Sequence, residues 1–212
     1  SDNATADGDI GTILFNATSD TGGSSTTLFD ATYDFNTGVG KAEVGDYIIV
    51  DKSGTTPEWG VLTSVSNGQV GFSGGLSSGG SCVTARTYQI LDSSAATNAM
   101  AVIVEYLDSS YVTKKEILIL NTTTQVESIG TMFRINGFRV IACGNKTGAT
   151  YACLGNLALR GTGVASPFYT YITNGFSRAR NNIYTVPLGK TLYVNQWTVG
   201  AIPRFDGGRI TL

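Results

Sequence analysis

Histidine is absent from all 212 residues of the chain. Histidine is the commonest general base and a frequent metal ligand, so its absence removes histidine-activated serine and cysteine nucleophiles and the usual zinc sites. No lysine follows a serine at the S-x-x-K spacing that could replace it. We therefore expect no enzymatic activity, and we assign no catalytic, cofactor-binding or metal-binding residue and no cofactor.

Charge of either sign is also scarce. Charged side chains make up 14% of the residues, and 14 basic against 16 acidic groups give a net charge of −2. The basic residues are scattered, which disfavours nucleic acid as a partner because a phosphate backbone requires a concentrated positive surface. No apolar run approaches the roughly 20 residues that a membrane-spanning helix needs. We expect a soluble protein that binds neither nucleic acid nor membranes.

Cysteine is limited to Cys82, Cys143 and Cys153, without a C-x-x-C spacing. An odd number at these separations indicates neither a zinc site nor a disulfide framework. Cys143 and Cys153 flank a predicted turn and could face the same side of a hairpin and form a bridge; the alternative is that they are small buried hydrophobic residues.

Glycine, by contrast, is abundant, with 27 residues, and it separates short runs of β-branched and aromatic residues. The runs predicted as strands in the first half are LFDATYDF, VGDYIIVDK, WGVLTSVS, QVGF and TYQIL. We expect them to form a small meander or barrel over residues 28–92. Ser-Asn-Gly at 66–68 predicts a tight hairpin with a type I′ turn, because Asn and Gly accept a positive φ. The polar residues 1–27 predict an extended arm that docks on a neighbouring subunit.

A polar seam at 92–99 separates this region from a longer series of strands, which we assign to a second domain over residues 97–212. The eight predicted strands are MAVIVEYL, KKEILIL, TMFRINGFRVIAC, TYACLGNLAL, FYTYI, NNIYTVP, KTLYVNQWTV and GRITL. Eight strands at this spacing predict an antiparallel β-sandwich of jelly-roll type. Alternation is imperfect in KEILIL and YTVP, which indicates cover on both faces of some strands, and contact with neighbouring subunits would supply it. The fold class is therefore all-β.

Two groups of motifs resemble patterns that recur in bacteriophage virion proteins. The first comprises the lead-in Leu28, Asp30 and Phe35, the strand start Val44-Gly45-Asp46, the strand Val61 to Val65 and the ending Tyr88 to Ile90. The second comprises the hairpin YLDSSYVTKKEILILNTTTQV, the strand FRIN at 133–136 and IYTVPLGKTLY at 183–193. Together they cover roughly three quarters of the chain. The family's Pro-Ala-Gly is Pro187-Leu188-Gly189 here, and the family's sheet would continue beyond GRITL, so we expect a partner chain to complete an open edge.

The resemblance implies a virion structural protein, either a capsid-associated, decoration-type or minor structural subunit, in the capsid or the tail. Its partners would be copies of itself, in a homo-oligomer, and other virion proteins. The alternative is a carbohydrate-binding or adhesin-like module of a phage tail or bacterial surface. A third possibility is an enzyme that cleaves polysaccharides with two carboxylates.

Aspartates in two places could hold a cation through carboxylate oxygens: Asp30 with Asp34, and Asp46 with Asp51. Neither set has a calcium-loop spacing, and we interpret them as turn formers, with Asp46 accepting backbone N–H groups at the start of YIIV.

Aromatic residues cluster in the last third of the chain, and several arginines accompany them there or shortly before. Exposed, the aromatic rings could stack on sugars or anchor a subunit interface, and the arginines could form interface ion pairs; buried, the rings would belong to the core. The residues concerned are Tyr169, Tyr171, Tyr184, Tyr193, Trp197, Arg178 and Arg180, with Arg134, Arg139 and Arg160 as further arginines.

Overall fold

The computed structural model describes residues 12–52, 56–73, 82–94, 98–121, 124–144, 156–161, 168–179, 191 and 193. This part of the chain is all-β, as the sequence predicts, with ten strands and no helix. The strands are β1 (Ile13–Thr18), β2 (Thr27–Asp34), β3 (Tyr47–Val50), β4 (Glu58–Phe72), β5 (Thr87–Leu91), β6 (Ala99–Leu107), β7 (Thr113–Ile119), β8 (Arg134–Cys143), β9 (Leu157–Arg160) and β10 (Phe168–Ile172). Over the same residues, nothing forms a helix long and apolar enough to cross a membrane.

The first five strands form an antiparallel sheet in the order β1-β5-β3-β4-β2, which curls into a nearly closed barrel. Its two edge strands approach each other where the ring of Phe15 meets Tyr33 and Phe35, at centroid distances of 5.5 and 4.9 Å. Alternate residues of each strand point inward, as pleating requires. The interior is filled by Leu28, Phe35, Ile48, Val50, Leu62, Val70, Tyr88 and Ile90. The barrel expected over the first half is therefore present.

Strand β1 comes from the segment expected to be an arm. Residues Ile13–Thr18 pair antiparallel with β5, placing Asn16 opposite Gln89. This pairing satisfies backbone groups of β5 that an open edge would leave exposed. The described part of the arm thus docks on the chain's own barrel, which corrects the expectation of a neighbouring subunit; residues 1–11 lie outside the described residues.

Strand β4 turns back on itself at Asn67-Gly68. The amide of Ser73 donates to the carbonyl of Val61 at 2.8 Å, and the Ser66 hydroxyl donates to the carbonyl of Gln69 at 3.0 Å, so the two halves face each other. Gly68 has a φ of +70°, whereas the φ of Asn67 is not positive. The predicted hairpin is confirmed, but the predicted type I′ turn is wrong, because that turn requires a positive φ at both central residues.

A three-stranded antiparallel sheet, β7-β6-β8, packs against the outside of the barrel. On this side Tyr47, Ile49 and Leu91 of the barrel meet side chains of the sheet that include Ile103, Ile117 and Ile141. On the other side Val102, Val104 and Phe138 meet Leu157 and Ile172 of the β9–β10 hairpin. Strand β6 is consequently buried on both faces, which explains its uninterrupted apolar run.

The cover on both faces of β6 and β7 therefore comes from within the chain. Ile117 of β7 faces the barrel, and its neighbour Leu118 belongs to the core on the β9–β10 side. This finding corrects, for KEILIL, the expectation that neighbouring subunits provide the cover; YTVP lies outside the described residues.

The described second half supplies five strands in two sheets, β7-β6-β8 and β10-β9. Four of these strands coincide with predicted runs, and β9 matches the end of TYACLGNLAL, whose residues 150–155 lie outside the described residues. NNIYTVP, GRITL and the turn at 187–189 lie outside the described residues, as does KTLYVNQWTV except for residues 191 and 193. A jelly roll requires eight strands in two Greek keys, so that topology stays a prediction. All the described strands belong to one compact unit that ends at Asn182.

Two cysteines are buried free thiols, Cys82 inside the barrel and Cys143 at the end of β8. Burial raises the pKa of Cys143 to about 11 and raises that of Cys82 as well. Cys143 thus fits the alternative of a small buried hydrophobic residue; Cys153 lies outside the described residues.

Shortening Ile103 to alanine should destabilise the protein by about 2–5 kcal/mol, because its side chain is 1% exposed between the barrel and the three-stranded sheet. Ile13→Ala provides a control with the same chemistry at a position that is 43% exposed, where we expect a loss below about 1 kcal/mol. Urea unfolding followed by tryptophan fluorescence measures both. Equal losses in the two variants would contradict the layered packing.

The buried thiols should resist alkylation in the folded protein. In a Cys153→Ser background, iodoacetamide at pH 8 should leave Cys82 and Cys143 unmodified until urea is added, as read by mass spectrometry. Rapid labelling of Cys143 in the absence of denaturant would contradict its burial.

The folded pKa of Cys143 lies above the ordinary thiol value of 9.0. The stability contributed by its buried, protonated thiol should therefore be intact below pH 9 and should be lost as the pH rises towards about 11.

Candidate functional site

A cavity of about 300 Å³ opens between the loop of residues 125–132 and the β9–β10 hairpin. We call it the loop–hairpin cavity. Its walls are mixed: Leu118, Met132 and Leu159 are apolar, whereas Gln125, Glu127 and Arg160 are polar, and Tyr169 also lines it. This combination suits the binding of a small ligand with both apolar and hydrogen-bonding surface.

Strand β10 positions Tyr169 at the cavity. Thr170 and Ile172 are buried, so the alternate residues Tyr169 and Tyr171 point outward, with 56% and 60% of their surface exposed. The pairing with β9 shifts register between Phe168 and Thr170, a type of irregularity that redirects a side chain. Both tyrosines are exposed, as one sequence interpretation required, and Tyr169, unlike Tyr171, lines the cavity.

Glu116 of β7 anchors the loop of residues 125–132 through hydrogen bonds to its backbone. This side chain is buried, and its two carboxylate oxygens accept hydrogen bonds from the amides of Ile129 at 2.8 Å and Gly130 at 3.4 Å. The Ser128 hydroxyl donates to the carbonyl of Gly130 at 3.0 Å. The loop backbone is therefore fixed before any ligand arrives.

Gly130 permits the close approach of this loop to β6. A Cβ at this position would overlap the hydroxyl of Tyr106. Burial raises the pKa of Tyr106, and the nearby Glu116 and Asp108 carboxylates raise it further, so the phenol stays protonated beside the loop. Only glycine fits here without a shift of the tyrosine ring.

The aspartates considered as cation ligands accept hydrogen bonds that connect backbone segments. Asp46 is buried and accepts the amide and hydroxyl of Ser93, at 2.9 and 3.0 Å, and the amide of Glu43 at 2.8 Å. Asp34 accepts the amide of Asn36 and the hydroxyl of Thr37. The interpretation as turn formers is confirmed for both, although Asp46 also reaches a distant loop that the sequence did not indicate.

Asp30 and Asp51 have similar structural roles. Asp30 is buried in the barrel and accepts the hydroxyl of Tyr88 at 2.9 Å; burial, followed by this hydrogen bond, strongly raises the pKa of Tyr88. Asp51 forms an ion pair with Arg86 and accepts the hydroxyl of Thr87 at 3.0 Å, beside a second cavity of about 500 Å³ on the barrel. No group of three or more acidic, cysteine or histidine residues suited to a metal occurs in the described part of the chain.

A second exposed aromatic group lies at the β6–β7 turn. The rings of Tyr111 and Phe133 meet edge to face at a centroid distance of 5.2 Å, and they are 67% and 59% exposed. Tyr111 has a φ of +61°, in a turn where Asp108 accepts the amides of Ser110 and Val112. We call Tyr111, Val112 and Phe133 the hairpin-tip patch.

Of the seven residues proposed from the sequence, the structure brings together Tyr169 and Tyr171. Arg178 is exposed, and its backbone bridges to Arg139 of β8, whose guanidinium lies 5.0 Å from the ring centre of Trp59. Tyr193 is 80% exposed. Tyr184, Arg180 and Trp197 lie outside the described residues. The sequence interpretation missed the hairpin-tip patch, although an apolar Tyr-Val pair inside the polar turn DSSYVT could have indicated it.

Comparison with protein-family models, with curated proteins and with solved structures finds no match to this chain. The resemblance to phage virion proteins consequently rests on the motifs quoted above.

Gly130→Ala should destabilise the protein by about 1–3 kcal/mol, because the added methyl group displaces Tyr106 from its packed position. Gly137→Ala is the matched control: a Cβ there meets Glu105 at 3.5 Å, an ordinary contact, and we expect a change within about 0.5 kcal/mol. Tyr106→Phe should recover part of the loss in the Gly130→Ala background. Urea denaturation of the four proteins tests this, and an unaffected Gly130→Ala protein would be inconsistent with the close approach.

Proposed function

We propose that the protein is a structural subunit of a bacteriophage particle, capsid-associated, decoration-type or minor, with a tail position equally compatible with the motifs. It acts through contacts with copies of itself and with other virion proteins and carries out no chemical reaction. The motifs that resemble virion proteins support this role. Many copies on one particle would give strong attachment even if each contact were weak.

The observation that carries the proposal is the hairpin-tip patch. Two aromatic rings that are more than half exposed, in contact with each other, provide the kind of surface that is enriched at protein interfaces. Holding a bulky residue such as Tyr111 at a positive φ costs on the order of 1–3 kcal/mol, and such strain concentrates at functional positions. The patch therefore has the chemistry of a contact between subunits.

The buried acidic residues support a role without catalysis. Asp30, Asp46 and Glu116 each accept two or more hydrogen bonds, from backbone amides and from hydroxyl groups. Carboxylates used in this way stabilise a rigid scaffold, which is the property that an assembly subunit requires.

The protein should be present in multiple copies in phage particles that are purified by density gradient from the organism that encodes it. Quantitative mass spectrometry counts the copies. A Tyr111→Ser/Phe133→Ser variant, supplied in place of the native chain, should be incorporated at least about tenfold less. Tyr171→Ser/Val39→Ser removes exposed apolar surface elsewhere and should be incorporated normally. Absence of the native protein from the particles would refute the proposal, and equal incorporation of both variants would refute the role of the patch.

A carbohydrate-binding module is the second candidate function. The observation that favours it is the position of Tyr169 on the wall of a cavity with polar side chains.

A further inference from the structure

The loop–hairpin cavity combines an exposed aromatic ring with polar side chains that differ in their hydrogen-bonding capacity. Tyr169 offers a ring surface of the kind against which the C–H face of a sugar stacks. Arg160 provides only donors, Glu127 provides only acceptors, and Gln125 provides both. A ligand that satisfies all three side chains must both donate and accept hydrogen bonds, as the hydroxyl groups of a sugar do.

The charge and the size of the cavity limit the chemical class of ligand further. Arg160 is partly buried, so an apolar ligand that covers it would displace water without supplying a hydrogen bond, which is costly; Glu127 is exposed. An anionic ligand would be attracted by Arg160 but repelled by Glu127, whereas a neutral polyol suits both. At about 300 Å³ the cavity lies at the small end of ligand sites, and it admits one or two sugar rings.

The cavity is also built in advance of binding. Glu116 fixes the amides of Ile129 and Gly130, and β9 and β10 fix the opposite wall through their pairing. A wall that is already ordered costs little entropy when a ligand binds.

From these observations we infer that the loop–hairpin cavity is a binding site for a neutral mono- or disaccharide, with Tyr169 as the stacking platform and Arg160, Glu127 and Gln125 as hydrogen-bonding groups. This inference rests on the second candidate function, carbohydrate binding, and names its ligand class; the site is independent of the hairpin-tip patch and of the structural role proposed above.

Saturation-transfer difference NMR on the full chain tests the site, with glucose, galactose, N-acetylglucosamine, maltose, lactose and chitobiose as probes at millimolar concentration. At least one probe should receive saturation, most strongly at its ring C–H protons. Tyr169→Ala should weaken its binding at least tenfold, and Tyr169→Phe should retain most of the binding because the ring remains. Tyr171→Ala is the matched control, since it removes an equally exposed tyrosine of the same strand that does not line the cavity.

Three results would overturn the inference: no saturation of any probe, equal weakening by Tyr169→Ala and Tyr171→Ala, or tighter binding of sialyllactose than of lactose, which would show that the site prefers an anion. Failure here is distinguishable from failure of the structural role. Tyr169→Ala should enter particles normally, and Tyr111→Ser/Phe133→Ser should bind the sugar as the native chain does.

Discussion

Apolar side chains fill the space between the barrel and the three-stranded sheet, and the β9–β10 layer packs on the opposite face of that sheet. Strands β3 and β6 lie on either side of this contact and are buried on both of their faces. A strand that is apolar on both faces cannot set its own register by its hydrophobic pattern. In β6 the pairing with β7 is regular from Ala101 to Leu107, whereas the pairing with β8 shifts register at Ala99–Val102 and Glu105–Tyr106. Contacts with the neighbouring strands therefore set the register of β6 and, through the pairing with β7, the position of the β6–β7 turn.

The sequence predicted the fold well where local pattern and tertiary role agree. YIIV and AMAVIVEYL combine β-branched residues with burial on both faces, and each forms one strand. Strand β1 was not predicted, because an edge strand with no fully buried residue carries a weak pattern within a polar segment. The turn at Asn67-Gly68 was located from its residues, but its type depends on the φ of Asn67, which is not positive and which the dipeptide alone does not decide.

The candidate site could be predicted only in part. The exposed tyrosines of β10 follow from the alternation of FYTYI, whose other residues include the buried Thr170 and Ile172. The opposite wall could not be foreseen, since Glu116 reaches the loop 13 residues further along the chain and a carboxylate in KKEILI has the pattern of a solvent-facing residue. In the folded chain this carboxylate is buried, and it accepts hydrogen bonds from the amides of Ile129 and Gly130. These partners cannot be identified from the sequence.

Because Glu116 fastens the loop through main-chain amides, the identity of most loop side chains has little bearing on how the loop is held. Substitutions at positions 125, 127 and 131 should consequently leave the hydrogen bonds of Glu116 to the loop intact. In such an arrangement, side chains that contact a ligand can change without changing the contacts that hold the loop in its fold. It also makes the loop a practical place for library-based engineering, provided that Glu116 and Gly130 are kept.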